Sequence, residues 1–495
     1  MMEQAISTIS GYVWSDFFIY FCLSVGLYFS IRTGFLQIRY IKDMVRFLFT
    51  KNKSNQGISS FQAFALAISG RVGTGNIVGV ATAIYMGGPG SVFWMWAIAF
   101  LGASSAFIES VLAQVYKQKE GDIFRGGPAY YIEKGLGVKW YALLFALITV
   151  ISTGFLLPGV QSNAINGTIS NAFNYSNQVI SLGGTDMTVS WVGLIVITLL
   201  GVIIIGGVKR LAQASELIVP FMAGAYILMA LIIIVLNFNH IPGVFKLIFS
   251  SAFSLDATFG GIIGTAISWG VKRGIYSNEA GQGTGPHAAA AAHVKHPAQQ
   301  GLVQAFSVYV DTLFVCSATA FMILFSDQYN VLGGVSETGE VTYIAKHIST
   351  DIGADGFTQA AVSSYFPSFG NQFVAIALFF FAFTTIMAYY YFAETNIAYI
   401  FKGKNYKPMI WVLRIVFLFS VYFGTIKTAK QAWDLGDIGV GLMAWVNIIA
   451  ILLLSRVGLK VWKDYERQRK QGIESPTFHP KELNIKNADF WEEEK

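Results

Sequence analysis

Mainly apolar segments follow one another along most of the chain, separated by short polar stretches. Eleven of them are 18 residues or longer: 14–31, 60–86, 90–116, 139–163, 190–207, 212–237, 258–291, 300–326, 371–401, 408–426 and 436–456. A hydrocarbon core about 30 Å thick takes roughly 20 apolar residues as a helix. The pattern predicts an all-α integral membrane protein with 11 transmembrane helices. Helix 14–31 comes first, and the ten after it form a core. This transmembrane domain spans 1–457, and 458–495 reads as a charged tail.

The basic residues give an orientation. With residue 1 outside, 26 of the 34 Lys and Arg fall in segments facing the cytoplasm and 4 outside. The other four, Arg71, Lys272, Arg273 and Arg414, lie within apolar segments. Basic loops favour the cytoplasmic side. The expectation is an N-terminus outside and a cytoplasmic tail, in the cell membrane. Omitting one central helix would scramble this bias, which supports the odd count.

Composition excludes other classes. With 54% hydrophobic and 13% charged residues and a mean hydropathy of +0.53, the chain is not a soluble globule, a disordered segment or a fibrous repeat. The net charge of +6 sits in short loops, which argues against nucleic acid. Cys22 and Cys316 fall in apolar segments, so neither a disulfide framework nor a thiolate metal site is expected. Residues 1–13 carry no Lys or Arg, a poor match to a signal peptide.

Two core segments are interrupted. From Ser69 to Asn76 the only large apolar residue is Val72. Each glycine there weakens a helix by about 1 kcal/mol relative to Ala. Arg71 near the bilayer centre costs about 2.5–3.5 kcal/mol or more. A second hole runs from Gly270 to Pro286 and contains Lys272, Arg273 and Glu279. Unwound backbone at this depth is tolerated only where it is buried or lines a cavity. The holes lie on the first and sixth core helices, so the halves 60–237 and 258–456 enter from opposite sides. Matching breaks of this kind point to an inverted-repeat transporter with a midplane site. Gly75-x-x-x-Gly79 also has helix-packing spacing, but packing leaves Arg71, Thr74 and Asn76 at one depth unexplained.

Gly73 to Ile84, Gly87 to Gly90 and Phe93 to Trp96 resemble the sodium:alanine (alanine or glycine:cation) symporter family. Trp269 to Gly281 is similar to that family's second hallmark, and Phe381 to Ile386 with Tyr391 to Glu394 to its third. The resemblance covers about 14–455. It implies a LeuT-like fold of five plus five inverted helices with one extra N-terminal helix. It also implies Na⁺-coupled uptake of a small neutral amino acid such as alanine or glycine, with Na⁺ as the co-transported ion and no organic cofactor. The bilayer is the remaining partner, and a monomer is the simplest unit.

Broken helices offer free N–H groups to a carboxylate and free carbonyls to a cation. Thr74, Gly75 and Asn76 are the candidates for the substrate carboxylate, and backbone near Gly274 with Asn278 for the ammonium. Gln161, read as near the outer end of its helix, is a further contact by resemblance; a helix–helix hydrogen bond is the competing reading. The resemblance places Na⁺ at Thr384 and Thr385 with the carbonyls of Gly70 and Val72. Threonine hydroxyls also bond back to their own helix. Ile275 and Tyr389 are the candidate walls, and Tyr389 stands where the family often has Trp. A smaller ring there keeps a glutamine-sized substrate open.

Glu109, Glu216, Glu279, Asp311 and Glu394 lie in or near apolar segments, with Arg71, Lys272 and Arg273 as expected partners. A titrating carboxylate would make the transporter proton-coupled. His287, His293 and His296 read as a solvated helix end rather than a metal site. No Walker pattern or catalytic triad is apparent, so the chain reads as no enzyme; a channel or a non-transporting sensor are the remaining rivals.

Overall fold

Apolar length becomes helix nearly everywhere. The computed structural model describes residues 2–50, 57–182, 185–253, 258–259, 262–335 and 341–493. α1 (Met2–Val13) and α2 (Asp16–Arg32) form the first span. That span begins at Ile6, earlier than the expected residue 14. The cause is tertiary: Trp445 Nε1 donates to the Val13 carbonyl at 2.9 Å and Trp14 Nε1 to the Asp437 carbonyl at 2.8 Å.

The core follows. It comprises α3 (Ser60–Arg71), α4 (Val80–Gly87), α5 (Gly90–Val115), α6 (Lys139–Phe173), α7 (Trp191–Ile204) and α8 (Gly207–Leu236). α9 (Ile241–Ala252) is a helix the hydrophobic pattern leaves out; it lays Val244 and Ile248 against α5. Then come α10 (Ile263–Asn278), α11 (Gly285–Ala291), α12 (Pro297–Ser326), α13 (Gly370–Ile400), α14 (Lys407–Gly424) and α15 (Ala429–Leu453). α16 (Ser455–Lys470) opens the tail.

Among the described residues, eight helices are long and apolar enough to cross a membrane. Counting the bent pair Ser60–Arg71 and Gly75–Gly87 as one span gives nine. The other two of the expected eleven fall short for physical reasons. α7 has 14 residues, about 21 Å at 1.5 Å per residue. The α10–α11 pair is divided by the stretch Glu279–Thr284 and carries charge. The all-α expectation is corrected by three two-stranded antiparallel hairpins: β1–β2 (Gln118–Glu120, Ile123–Arg125), β3–β4 (Gln178–Leu182, Thr185–Val189) and β5–β6 (Asn330–Val335, Val341–Lys346).

π-helical turns interrupt the regular helices at Gly75–Gly79, Ser152–Leu156 and Val310–Cys316. α6 does not end at 163; it runs to Phe173, where Asn174 turns left-handed at φ 51°. Gln161 therefore sits in the body of the helix and is fully buried.

The first break is short. Ser59 starts α3 with a capping box: its Oγ accepts from Gln62 N–H at 3.1 Å, and Gln62 Oε1 accepts from Ser59 N–H at 3.0 Å. α3 stops at Arg71, Val72 is extended (φ −79°, ψ 91°), and helix resumes by Gly75. The two halves differ in direction by 53°. α4 packs on α10 and α3 on α11, which brings the two breaks together in the middle of the molecule.

One ion triad ties α10 to α15. Arg273 donates to both Asp437 oxygens at 2.8 and 3.1 Å, and Lys272 Nζ lies 2.7 Å from Oδ2. These two cations therefore do not pair with Glu109, Glu216, Glu279, Asp311 or Glu394; Asp437 answers both of them. Asp437→Asn leaves two buried cations short of a counter-charge. The expected loss is about 3–5 kcal/mol, read as a lower midpoint of unfolding in detergent; an unchanged midpoint contradicts the triad.

Candidate substrate and cation site

The second half of the first broken helix begins with N–H groups aimed at the centre. The free first-turn donors of a helix, with its positive dipole end, form a ready anion site. Two neutral side chains occupy these donors. Asn76 Oδ1 accepts from Gly73 N–H at 2.8 Å, and Gln161 Oε1 accepts from Thr74 N–H at 3.0 Å. Gly73 has no alternative: a Cβ there would sit 2.5 Å from Thr385 Oγ1 and 2.9 Å from Gln161 Oε1. The expected cluster of Thr74, Gly75, Asn76 and Gln161 is thus brought together, all of it buried.

Opposite, Thr385 faces the C-terminal end of α3. Its Oγ1 lies 2.8 Å from the Ser69 carbonyl, 3.2 Å from that of Val72 and 2.9 Å from that of Phe381. A hydroxyl has one proton, so three acceptors converge where one donor is available. Such an oxygen cluster suits a hard cation, whose ligands are oxygens. Ser69 supplies a carbonyl one residue before the expected Gly70, whose Cα instead faces Glu279 and Phe392. Thr384 points away. Its hydroxyl donates to its own helix, 3.0 Å from the Phe380 and Phe381 carbonyls, and faces Met222.

A second polar cluster centres on Asp311 in the π turn of α12. Asn76 Nδ2 donates to Oδ1 at 2.6 Å and Thr312 Oγ1 to Oδ2 at 2.7 Å. Ser277 Oγ lies 3.1 and 3.0 Å from the two oxygens. All four residues are fully buried. Among the described residues no Lys or Arg reaches ion-pair distance of Asp311; Arg71 faces it from further away. Arg71 donates to Gln304 Oε1 at 3.2 Å and to Ser307.

The second break lies at Glu279–Thr284, later than the start of its sequence hole. Gly274 is inside regular helix, packed so tightly that a Cβ would stand 2.4 Å from Ile98 Cγ2. Its backbone is not unwound. Asn278 is engaged as well: Nδ2 donates to Thr312 Oγ1 at 3.2 Å, and Oδ1 accepts from Ala280 N–H at 3.0 Å. Glu109 reaches the break from α5, accepting from Gly281 N–H at 3.3 Å and from Asn447 Nδ2 at 2.7 Å. Asn447 also donates to the Gly281 carbonyl at 2.9 Å and takes the Tyr131 hydroxyl.

Aromatic rings line the centre. Tyr389 is buried, its hydroxyl beside Gln161 and Tyr276. Tyr276 packs against Trp433 with the rings tilted and their centres 5.0 Å apart, and its ring edge lies 3.2 Å from the Cβ position of Gly75. Ile275 is buried in the same turn of α10. Tyr276 and Ser277 are polar residues inside the second hole that the sequence pattern does not mark as ligands, and Asp311 shows in the sequence only as a charge within an apolar segment.

The sequence profile of the sodium:alanine symporter family matches residues 1–480. The putative sodium/proton-dependent alanine carrier protein YrbD of Bacillus subtilis is 58% identical over 493 residues, covering 100% of this chain and 98% of that protein. The probable sodium/glutamine symporter GlnT of the same organism is 43% identical over 490 residues, covering 99% and 95%. The sodium/alanine symporter AgcS of Methanococcus maripaludis is 34% identical over 473 residues, covering 94% and 97%. The crystal structure of MhsT in complex with L-phenylalanine shares the fold at a TM-score of 0.50 and 14% identity, covering 82% of this chain and 100% of that one. A multi-pass membrane protein with two facing helix breaks, matched along its length by these carriers, is no enzyme: the chain belongs to the sodium:alanine symporter family.

Proposed function

We propose that the protein takes up a small neutral amino acid such as alanine or glycine together with Na⁺, by alternating access. The observation that carries this reading is the first break: two N–H donors on one side and converging carbonyls on the other, 2.8–3.2 Å from Thr385 Oγ1. The substrate carboxylate displaces Gln161 Oε1 and Asn76 Oδ1 from the Thr74 and Gly73 N–H groups. Na⁺ takes the Ser69 and Val72 carbonyls with Thr385. Tyr276, Ile275 and Tyr389 wall the side chain, and the room beside Tyr389 decides between alanine and a glutamine-sized substrate.

The architecture proposed with it is 11 membrane helices: one extra helix, then inverted repeats at 60–237 and 258–456. The basic bias puts the N-terminus outside and 458–495 in the cytoplasm of a monomer in the cell membrane. The Arg273–Asp437 pair, with Trp433 against Arg273 at 4.5 Å, then closes the outer side.

One observation favours a second reading, proton coupling. Asp311 is a buried carboxylate with neutral partners only at hydrogen-bond distance, a setting that takes either a cation or a proton.

Uptake of labelled alanine, glycine and glutamine into proteoliposomes, with and without a Na⁺ gradient, tests the reading. Accumulation above equilibrium that needs the gradient is expected; non-saturating flux or binding without accumulation contradicts it. Thr385→Ala should weaken apparent Na⁺ affinity about tenfold, about 1.4 kcal/mol, whereas Thr384→Ala stays within about twofold because its hydroxyl serves its own helix. Equal effects of the two would remove the Thr385 site. Gln161→Ala unpairs the Thr74 N–H and is expected to shift apparent substrate affinity by about 1–3 kcal/mol, measured as KM for alanine.

A further inference from the structure

The face that carries the C-terminus holds a contact that the transport reading does not use. Beyond α16 the chain folds back across the ends of the core helices. Phe478 N–H donates to the Lys295 carbonyl at 3.1 Å, and its ring stands 5.7 Å from that of His296. Asn487 Nδ2 donates to the Lys134 carbonyl at 2.9 Å, and Asp489 pairs with the Lys134 ammonium. Trp491 Nε1 donates to the Gln114 carbonyl at 2.8 Å.

These contacts converge on Lys117. Its ammonium lies 4.4 Å from the ring centre of Phe490, 5.2 Å from Trp491 and 4.5 Å from Phe124. Lys117 is fully buried, and Nζ donates to the Ala292 carbonyl at 2.9 Å. Gln114 Nε2 donates to the same oxygen at 2.9 Å. Ala292 is the C-cap of α11, the half-helix after the second break. The segment entering α3 joins the same knot: Ile58 N–H donates to the Ala291 carbonyl at 3.1 Å and His293 N–H to the Ile58 carbonyl at 3.2 Å. Both half-helices on this face, α3 and α11, are thus held at one point.

A buried ammonium needs compensation. The negative end of α11 and three aromatic faces contribute to it here. Two of the three rings belong to the tail. With the tail docked, Lys117 is kept dry and bound to α11. With the tail away, water competes for both the ammonium and the Ala292 carbonyl. We propose that residues 478–491 are an autoinhibitory strap. It holds this face closed through Lys117, a positioning residue, and its undocking admits the separation of α3 and α11 that releases solute. The inference rests on the alternating-access reading above.

The native thiol of Cys316 reports on it. Cys316 is buried beside the site, Sγ lying 3.3 Å from Asn76 Nδ2 and 3.2 Å from Ser277 Oγ. In full-length protein with Cys22→Ser, it is the single thiol. A charged, membrane-impermeant methanethiosulfonate is applied to oriented vesicles from one face at a time. Phe490→Ala/Trp491→Ala and Lys117→Gln are each expected to raise the labelling rate from the C-terminal face at least threefold, with the rate from the other face unchanged or lower. Phe490→Tyr/Trp491→Phe keeps two rings over the ammonium and should restore the slow rate. An unchanged rate from the C-terminal face overturns the strap. An equal rise from both faces also overturns it, because that marks general loss of packing. Absence of Na⁺-dependent uptake by the unsubstituted protein defeats the transport reading instead, and is read in a separate assay.

Discussion

Backbone that leaves the helix inside hydrocarbon must find partners for its N–H and C=O groups within the protein, and this requirement organises the centre of the molecule. Around Val72 and Gly73 the partners are Asn76, Gln161 and Thr385. At the second break they are Glu109, Asn278 and Asn447. Every one is a side chain from another helix or from a helix end that flanks the break. In the proposed reading, a solute entering the first break exchanges one set of hydrogen bonds for another, which suits a carrier that must also let go. Asn76 holds Gly73 N–H through its oxygen and Asp311 through its nitrogen. A carboxylate that takes Gly73 would then disturb the Asp311 cluster through this one amide. Binding linkage of this kind is reciprocal.

Two kinds of buried charge stand out. Asp437 is answered by two cations, and Arg125 by Glu394 at 3.0 Å and Glu120 at 2.7 Å. These pairs tie helices together. Near the breaks, Glu109 and Asp311 have only neutral donors at hydrogen-bond distance. A neutral donor steadies a carboxylate without cancelling its charge.

Much of this arrangement is legible in the sequence, and the exceptions are instructive. Helix breaks announce themselves, because glycine and charge interrupt an apolar run; Ser69 to Asn76 contains the first break and Gly270 to Pro286 the second. The extent of a break is not legible: a lone glycine such as Gly274 reads alike whether it unwinds the helix or lets Ile98 approach. Thr384 and Thr385 differ by one residue, about 100° around a helix, and apolar neighbours on all sides leave no period to tell which faces inward. Gln161 reads as a helix end because Asn163, Asn166 and Asn171 follow it, yet these bond to Gly424, Ser190 and Gln359 of neighbouring elements while the helix continues. Partners far apart in the chain, such as Arg273 and Asp437, leave no trace in local pattern. The hairpins, of three to six residues per strand, are too short to show a period within polar loops.

The π turn at Ser152–Leu156 has a consequence for how length variation is tolerated in α6. A π turn accommodates one residue more than the α-helix it interrupts. Removing one residue there would regularise the helix and leave its apolar length nearly intact, so insertion into the bilayer would proceed. The residues beyond would keep their facing, because the turn is where the extra residue is absorbed. Gln161, five residues after the turn, would still meet Thr74, whereas the same deletion in the regular helix between Leu157 and Gln161 would rotate it by about 100° and draw it in by about 1.5 Å. The turn thus acts as a phase buffer: a deletion there leaves the site in register, and one a few residues later does not.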